Sequence, residues 1–276
     1  MTVFAGCHKE ESVVAIRSEC KTLPGTLVAF QLDISSDKSV DDAKHLVETK
    51  LFEMNQDLYA VVNNAGASGV NFYDEFLSLA DYRDVMEVNF YGVLRVTKAF
   101  LHLIKASRGR IITCLTGFCF VKFPGIAPYS ASKTAVHAYC EVLRTEMRQF
   151  GVKVVTIFPG TFQTPIADPE RVINFVKMAW NNADELLKEQ YGEKWINQVC
   201  EIVRRYGEAG DKDISWVVND YFHAITAKYP SDNYVEGIDA TLYFTPYFYL
   251  PNILKQLLMD AYFWVLHVPK PACLEK

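Results

Sequence analysis

The chain has no run approaching the ~20 consecutive apolar residues that a membrane-spanning helix needs, so no span is expected. It has no block of lysine or arginine: 28 basic residues face 33 acidic ones, for a net charge of −5. That balance argues against nucleic acid as a partner. None of the seven cysteines (Cys7, Cys20, Cys114, Cys119, Cys140, Cys200, Cys273) stands at zinc-ligand spacing from another, so no metal site is expected. They are scattered, odd in number and mostly within apolar runs, which suits reduced, buried thiols; a Cys7–Cys20 bridge is not expected. Glycine is sparse, 14 in 276 residues, and no Gly-x-Gly-x-x-Gly turn occurs, so the usual phosphate cradle for a dinucleotide is missing. There is no internal repeat and no low-complexity linker. Met1 to Cys7 runs straight into His8-Lys-Glu-Glu11 without the pattern of a secretory leader, and an intracellular, cytosol-facing protein is expected.

What is present is a chain half apolar, enough for one large core. Short apolar runs alternate with helical periodicity: strands over residues 2–6, 27–32, 58–62, 110–115 and 153–158, with helices over 9–20, 37–52, 79–105 and from Tyr129 or Ala131 to Phe150. Strands such as 58–62, apolar at every position, are of the type buried on both faces of a parallel sheet. The fold class expected is therefore α/β, a doubly wound parallel sheet of Rossmann-like type. Beyond Thr164 the pattern becomes helical, over 169–190, 195–206 and 215–228, with a last strand over 234–242. This region reads as a helical C-terminal lid over the sheet's carboxyl edge. The expected organisation is one domain over residues 1–276, with 1–165 a partial dinucleotide-binding core and 166–276 a substrate lid and C-terminal segment. The aromatic tail from Tyr243 to Val268 is broken by Pro246, Pro251, Lys255 and Asp260; it is expected to cover the core, with an interfacial patch near an apolar entrance as the alternative.

The chemistry is concentrated between Thr116 and Lys133. Thr116 follows the strand at 110–115, so its hydroxyl lies at a carboxyl end, where open α/β sheets bind ligands. Tyr129 and Lys133 are four apart and share one helix face. An ammonium beside a phenol favours the phenolate, which would suit Tyr129 to proton transfer near neutral pH. Asn63-Asn-Ala-Gly66 closes the strand before, with small residues that let a ligand approach the backbone while the Asn amides tie adjacent strands. Asn89 sits mid-helix, where asparagine is unfavourable without a partner.

Asn63-Asn-Ala-Gly66, Asn89 three before Gly92, Thr116, Tyr129-x-x-x-Lys133 and Pro159-Gly160 with Thr164 occur in the order and spacing of the classical short-chain dehydrogenases/reductases, which this chain resembles over nearly its whole length. The strand Val3 to Cys7, Tyr191-Gly192, Tyr234, Tyr249-Leu-Pro251 and Pro269-Lys-Pro-Ala272 look most like the branch that holds retinol dehydrogenases, 17β-hydroxysteroid dehydrogenases and the mitochondrial 3-hydroxybutyrate dehydrogenase.

The resemblance implies a set of roles. Tyr129 would exchange the substrate's hydroxyl proton, and Lys133 would lower the phenol's pKa and hold the cofactor ribose. Thr116, where the family usually has Ser, would bind the substrate oxygen, and Asn89 would anchor a water in the proton path. Asn63 and Gly66 would line the cofactor with Pro159 and Gly160. Asp33 would meet the adenine, and Thr164 the carboxamide or phosphate side. The cofactor implied is NAD, with NADP as the alternative. Cys7-His-Lys9 stands where NAD users carry an acidic residue, but a lone Lys9 reads better as a surface lysine.

One departure is large. The family's first strand, its Gly-rich turn and the helix behind it have no counterpart, and Val3 to Cys7 matches the family's second strand. The fold is therefore expected to be N-terminally incomplete, or else the strands on either side of the missing one must meet directly at ~4.8 Å.

The function expected is nicotinamide-dependent interconversion of a lipophilic alcohol, retinoid or steroid, with its carbonyl. Alternatives are a 3-hydroxy-acid dehydrogenase, in which Arg204 or Arg205 would meet the carboxylate, and a catalytically silent fragment. A homodimer through the helices at 79–105 and 131–150, and peripheral contact with endoplasmic-reticulum or mitochondrial membrane, complete the expectations.

Overall fold

The computed structural model describes residues 1–274. In chain order the elements are β1 (Thr2–Cys7), α1 (Glu10–Glu19), β2 (Thr26–Gln31), α2 (Asp37–Met54), β3 (Ala60–Asn63), α3 (Leu79–Met86) and α4 (Val93–Ser107). Then come β4 (Arg110–Cys114), α5 (Ala127–Met147), β5 (Lys153–Pro159), α6 (Pro169–Asn182), α7 (Glu185–Tyr191), α8 (Glu193–Glu208) and α9 (Ser215–Thr226). The chain closes with β6 (Asn233–Glu236), α10 (Thr245–Phe248) and α11 (Asn252–Val265).

All strand pairs are parallel, in a two-stranded sheet β1-β2 and a four-stranded sheet in the order β3-β4-β5-β6. β4 and β5 are central and rich in β-branched residues, and Ile111, Ile112, Val154, Val155 and Ile157 are fully buried. Burial of each such side chain stabilises the fold by about 1.5–3 kcal/mol. Helices flank these strands as a doubly wound sheet requires.

Among the described residues β1 and β3 do not pair, so the direct meeting of these strands is not realised. Val3 on β1 and Val62 on β3 stay 42% and 39% exposed. The two-stranded unit is held instead by side chains: Phe4, Phe30, Leu32 and Ile34 pack on the core that includes Val47, Val96 and Phe100.

Local chemistry sets the boundaries. Ser36 caps α2 through Ser39 N–H at 3.3 Å, and Asn55 ends that helix in the left-handed conformation that asparagine tolerates. Ser78 and Asp81 form a reciprocal capping box on α3. The helix expected over 79–105 is two helices joined by a π-helical turn at Glu87–Gly92, which carries Asn89. The helix expected over 169–190 is broken after Asn182, because Asp184 caps a new one through Leu187 N–H. The strand expected over 234–242 stops at Glu236: Gly237 takes a φ of 110° and the chain turns into a π-helical segment over Ala240–Phe244. The tail is divided: Phe244, Tyr247 and Met259 pack in the core cluster with Val121, as expected, whereas most of α11 does not. No residue of α11 is buried, and Ile253, Leu257 and Trp264 stand exposed rather than covering the core. No helix among the described residues is long and apolar enough to cross a membrane. All seven cysteines are free.

Candidate active site

β4 ends at Cys114, and Thr116 stands two residues on, buried, its hydroxyl accepting from Phe118 N–H at 3.3 Å to cap a short helical turn. Tyr129 lies in the first turn of α5, where Pro128 is tolerated because first-turn N–H groups have no helical partner. Lys133 follows one turn later and is 4% exposed. Its ammonium donates to the carbonyl of Cys114 at 3.0 Å and stands 6.0 Å from the centre of the Tyr129 ring.

Burial pushes the Tyr129 phenol well above the ordinary tyrosine range, reinforced by the Cys114 thiol; a hydrogen bond with Thr116 opposes the shift. The lowering by Lys133 expected from spacing is thus not realised here. Four-residue spacing puts the ammonium beside the ring, but it donates to the Cys114 carbonyl, and desolvation of the phenol dominates. The Thr116 and Tyr129 hydroxyls are nonetheless neighbours.

Asn89 is fully buried. Its Oδ1 accepts from Ala67 N–H at 2.8 Å, while Nδ2 donates to Ala67 O and to Ser132 Oγ, each at 2.9 Å. Ser132 in turn donates to Tyr129 O at 2.8 Å. Asn89 therefore pins the loop after β3 to the helix carrying Tyr129 and Lys133, and both its amide protons are used by protein groups.

Thr116, Tyr129 and Lys133 face one cavity of about 1010 Å³. Thr116, Tyr129, Lys133, Gly66, Pro159, Gly160 and Thr164 line it from the sheet side. Three residues expected beside them stand outside the lining, the first of them Asn89. Asn63 donates to Thr97 at 3.0 Å and reaches Thr113 at 3.5 Å, tying β3 to α4 and β4; its neighbour Asn64 lines the cavity instead. Asp33 lies after β2, its carboxylate accepting from the N–H and hydroxyl of Ser35 at 2.9 and 2.6 Å, which holds its pKa below the usual range. It is outside this cavity. No sequence pattern singles out Tyr221, on α9, whose hydroxyl donates to Asn64 Oδ1 at 2.7 Å. Tyr206, on α8, was equally hidden; its hydroxyl shares a hydrogen with Thr161 Oγ1 at 2.8 Å.

The wall opposite the sheet is apolar, with Val176, Val199 and Val203 from the lid helices and Phe263 from α11. An aromatic cluster of Phe72, Phe76, Trp180 and Trp195 fastens α6 and α8 beneath it. Of the lid arginines, Arg204 is paired with Glu170 and Glu201, and Arg205 with Glu201.

The nicotinamide end of a dinucleotide fits this sheet edge. A Cβ added at Gly66 would stand 3.2 Å from Lys133 Nζ and 3.4 Å from Asn89 Oδ1, so the missing side chain is what leaves the backbone open there. No Gly-x-Gly-x-x-Gly turn is available for the phosphates, so the fit extends to the nicotinamide and its ribose.

A hydroxyl, a phenol and an ammonium gathered at the carboxyl edge of a parallel sheet, beneath a helical lid, mark a dinucleotide-dependent α/β oxidoreductase. The chain belongs to the short chain dehydrogenase family, whose model matches residues 1–172. It is accordingly an NAD(P)-dependent oxidoreductase of the alcohol dehydrogenase type. It is 36% identical to the 3beta-hydroxysteroid dehydrogenase dhs-16 of Caenorhabditis elegans, over 94% of this chain and 68% of that one. It is 34% identical to the rat (Rattus norvegicus) 17-beta-hydroxysteroid dehydrogenase type 6, over 94% and 80%. Among solved structures it resembles a short chain dehydrogenase/reductase from Burkholderia phymatum in complex with NAD, with a TM-score of 0.69, 19% identity and 99% and 88% of the two chains covered.

Proposed function

We propose that this chain interconverts a lipophilic secondary or allylic alcohol, of steroid or retinoid type, with its carbonyl. One observation carries the reading: the cavity is apolar on the lid side and holds its hydroxyl, phenol and ammonium together at the sheet edge. A greasy body would lie among the valines while a single oxygen meets Thr116 and Tyr129. The two relatives named above are described as hydroxysteroid dehydrogenases, which supports the steroid class.

In this reading Tyr129 exchanges the proton of the substrate oxygen, and Thr116 holds that oxygen in place by a second hydrogen bond. Lys133 would hold the ribose, with Gly66, Pro159, Gly160 and Thr164 along the cofactor's flank. The nicotinamide, when bound, supplies or accepts the hydride. The lid excludes water from the reacting carbon. A 3-hydroxy acid would need a free cation over its carboxylate; Arg204 and Arg205 are both engaged with glutamates, which speaks against it.

Peripheral membrane contact through the exposed apolar face of α11, and a homodimer through α4 and α5, belong to the same proposal; the exposed Trp264 and Val142 support them respectively. The test is turnover: NADH formation from androsterone or retinol with NAD, followed by absorbance. Oxidation of either supports the reading. Activity confined to short 3-hydroxy acids would overturn it.

A further inference from the structure

A second cavity, of about 830 Å³, lies between the π-helical segment at Ala240–Phe244 and α11. Val121 and Phe244 are its buried residues, Leu242, Leu258 and Met259 form its sides, and Ile238 and Tyr243 are exposed at its mouth. It shares Phe123, Thr161, Tyr206 and Tyr262 with the catalytic cavity, so the partition is one side chain thick. That partition is itself packed: Phe123 lies 5.3 Å from Tyr262 and 6.4 Å from Tyr206, centre to centre.

The polar atoms of the walls are largely committed. Asp239 accepts from Ala240 N–H and Thr161 N–H, each at 2.8 Å. The Tyr206 hydroxyl is bonded to Thr161, and Tyr247 donates to Lys255 O at 3.4 Å. The lining includes two carboxylates, Asp211 and Asp239, and no lysine, arginine or histidine; Lys255 lies over the rings of Tyr247 and Phe248 outside the lining. An anionic lipid would meet like charge here and no counter-ion, whereas an uncharged skeleton would lose nothing on entry. The volume lies within the range of small-molecule sites, ~300–1,000 Å³.

We propose that this second cavity is an accessory binding site for an uncharged hydrocarbon skeleton, such as a sterol or isoprenoid alcohol, set against the catalytic cavity across the Phe123–Tyr206–Tyr262 partition. The occupant has two possible sources, a separate lipid molecule or the distal end of a long substrate. Only the second source rests on the alcohol–carbonyl reading.

Nile red, an uncharged apolar dye, tests the site without turnover. The wild-type chain should bind two dyes, one in each cavity. Ala209→Trp or Leu258→Trp, both exposed positions that line only the second cavity, should reduce this to one. Ile214→Trp, exposed and lining only the catalytic cavity, should remove the other dye. Palmitate should not displace the dye that Ala209→Trp removes. One equivalent of androsterone releasing one dye, and a second equivalent the other, identifies separate ligands. One equivalent of retinol releasing both identifies two ends of one substrate. A single dye on the wild-type chain, two dyes retained by both Ala209→Trp and Leu258→Trp, or displacement of the second dye by palmitate would overturn the proposal. If turnover of alcohols fails while two dyes bind, the reaction is wrong and the accessory site stands.

Discussion

The Lys133 ammonium donates to the main-chain carbonyl of Cys114 at 3.0 Å. It thereby ties the second turn of α5 to the end of β4, one residue before the Leu115-Thr116 step, whose residues line the cavity. Replacing this lysine by methionine keeps the volume and removes the donor. Lys133→Met should weaken NADH binding at least about tenfold and lower stability by about 1.5–3 kcal/mol, the range for a hydrogen bond to a charged group. Fluorescence titration and thermal melts measure the two effects. Unchanged affinity would remove Lys133 from the cofactor site.

Tyr129→Phe should lower kcat by about 10²-fold or more, the usual scale for a positioned acid or base, with NADH affinity within about twofold of wild type. Because burial raises the Tyr129 phenol, its ionised form is reached only on the alkaline side of an ordinary tyrosine. Alcohol oxidation, which needs the base, should climb with pH through the alkaline range, while carbonyl reduction, which needs the acid, should stay flat there. A plateau in oxidation below neutrality would count against Tyr129 as the base.

The fold was legible wherever burial on both faces left an uninterrupted apolar strand, as in β4 and β5, and wherever helical periodicity was unbroken, as in α2. The Tyr129–Lys133 pair was legible because helical spacing alone brings residues four apart together. Asn63 and Asn64 could not be separated by spacing: successive strand side chains face opposite ways, and which one meets the cavity depends on β3's place in the sheet. Tyr206 and Tyr221 reach the site across a lid whose packing no local pattern encodes. The direction of the Tyr129 shift was missed for a related reason. Spacing reports the neighbouring charge but not the desolvation that outweighs it.

Asn89→Ala should destabilise by about 2–4 kcal/mol, since it strands the N–H and C=O of Ala67 and removes the donor to Ser132 Oγ, which keeps its bond to Tyr129 O. The loss of ties between the β3 loop and α5 should also reduce kcat. Chemical denaturation and steady-state rates read both, and a stable, fully active variant would show that the network is dispensable.

Asp220, on α9, is raised to about 7, first by burial and then by the charge of the neighbouring Glu236 carboxylate and a hydrogen bond with it. Its folded form keeps a proton that the unfolded chain releases near pH 3.8, so this group costs stability progressively as pH rises between those values. The cost is constant above them and absent below. Asp220→Asn should therefore stabilise the protein by about 1 kcal/mol near pH 8, discounted for partial solvent screening, and leave it unchanged near pH 4. Melting curves at the two pH values decide it; equal effects at both would mean that the carboxyl is not raised.

Among the described residues, side-chain packing with no hydrogen-bond ladder joins the β1–β2 ribbon to the four-stranded sheet and its helices. A ladder would make the two parts open together, whereas grease lets one peel while the other holds. The amides of β1 and β2 should therefore trade their hydrogens for deuterium through a local excursion of their own, far sooner than those of β4 and β5, so that the ribbon behaves as a separate foldon hinged on Phe4 and Phe30.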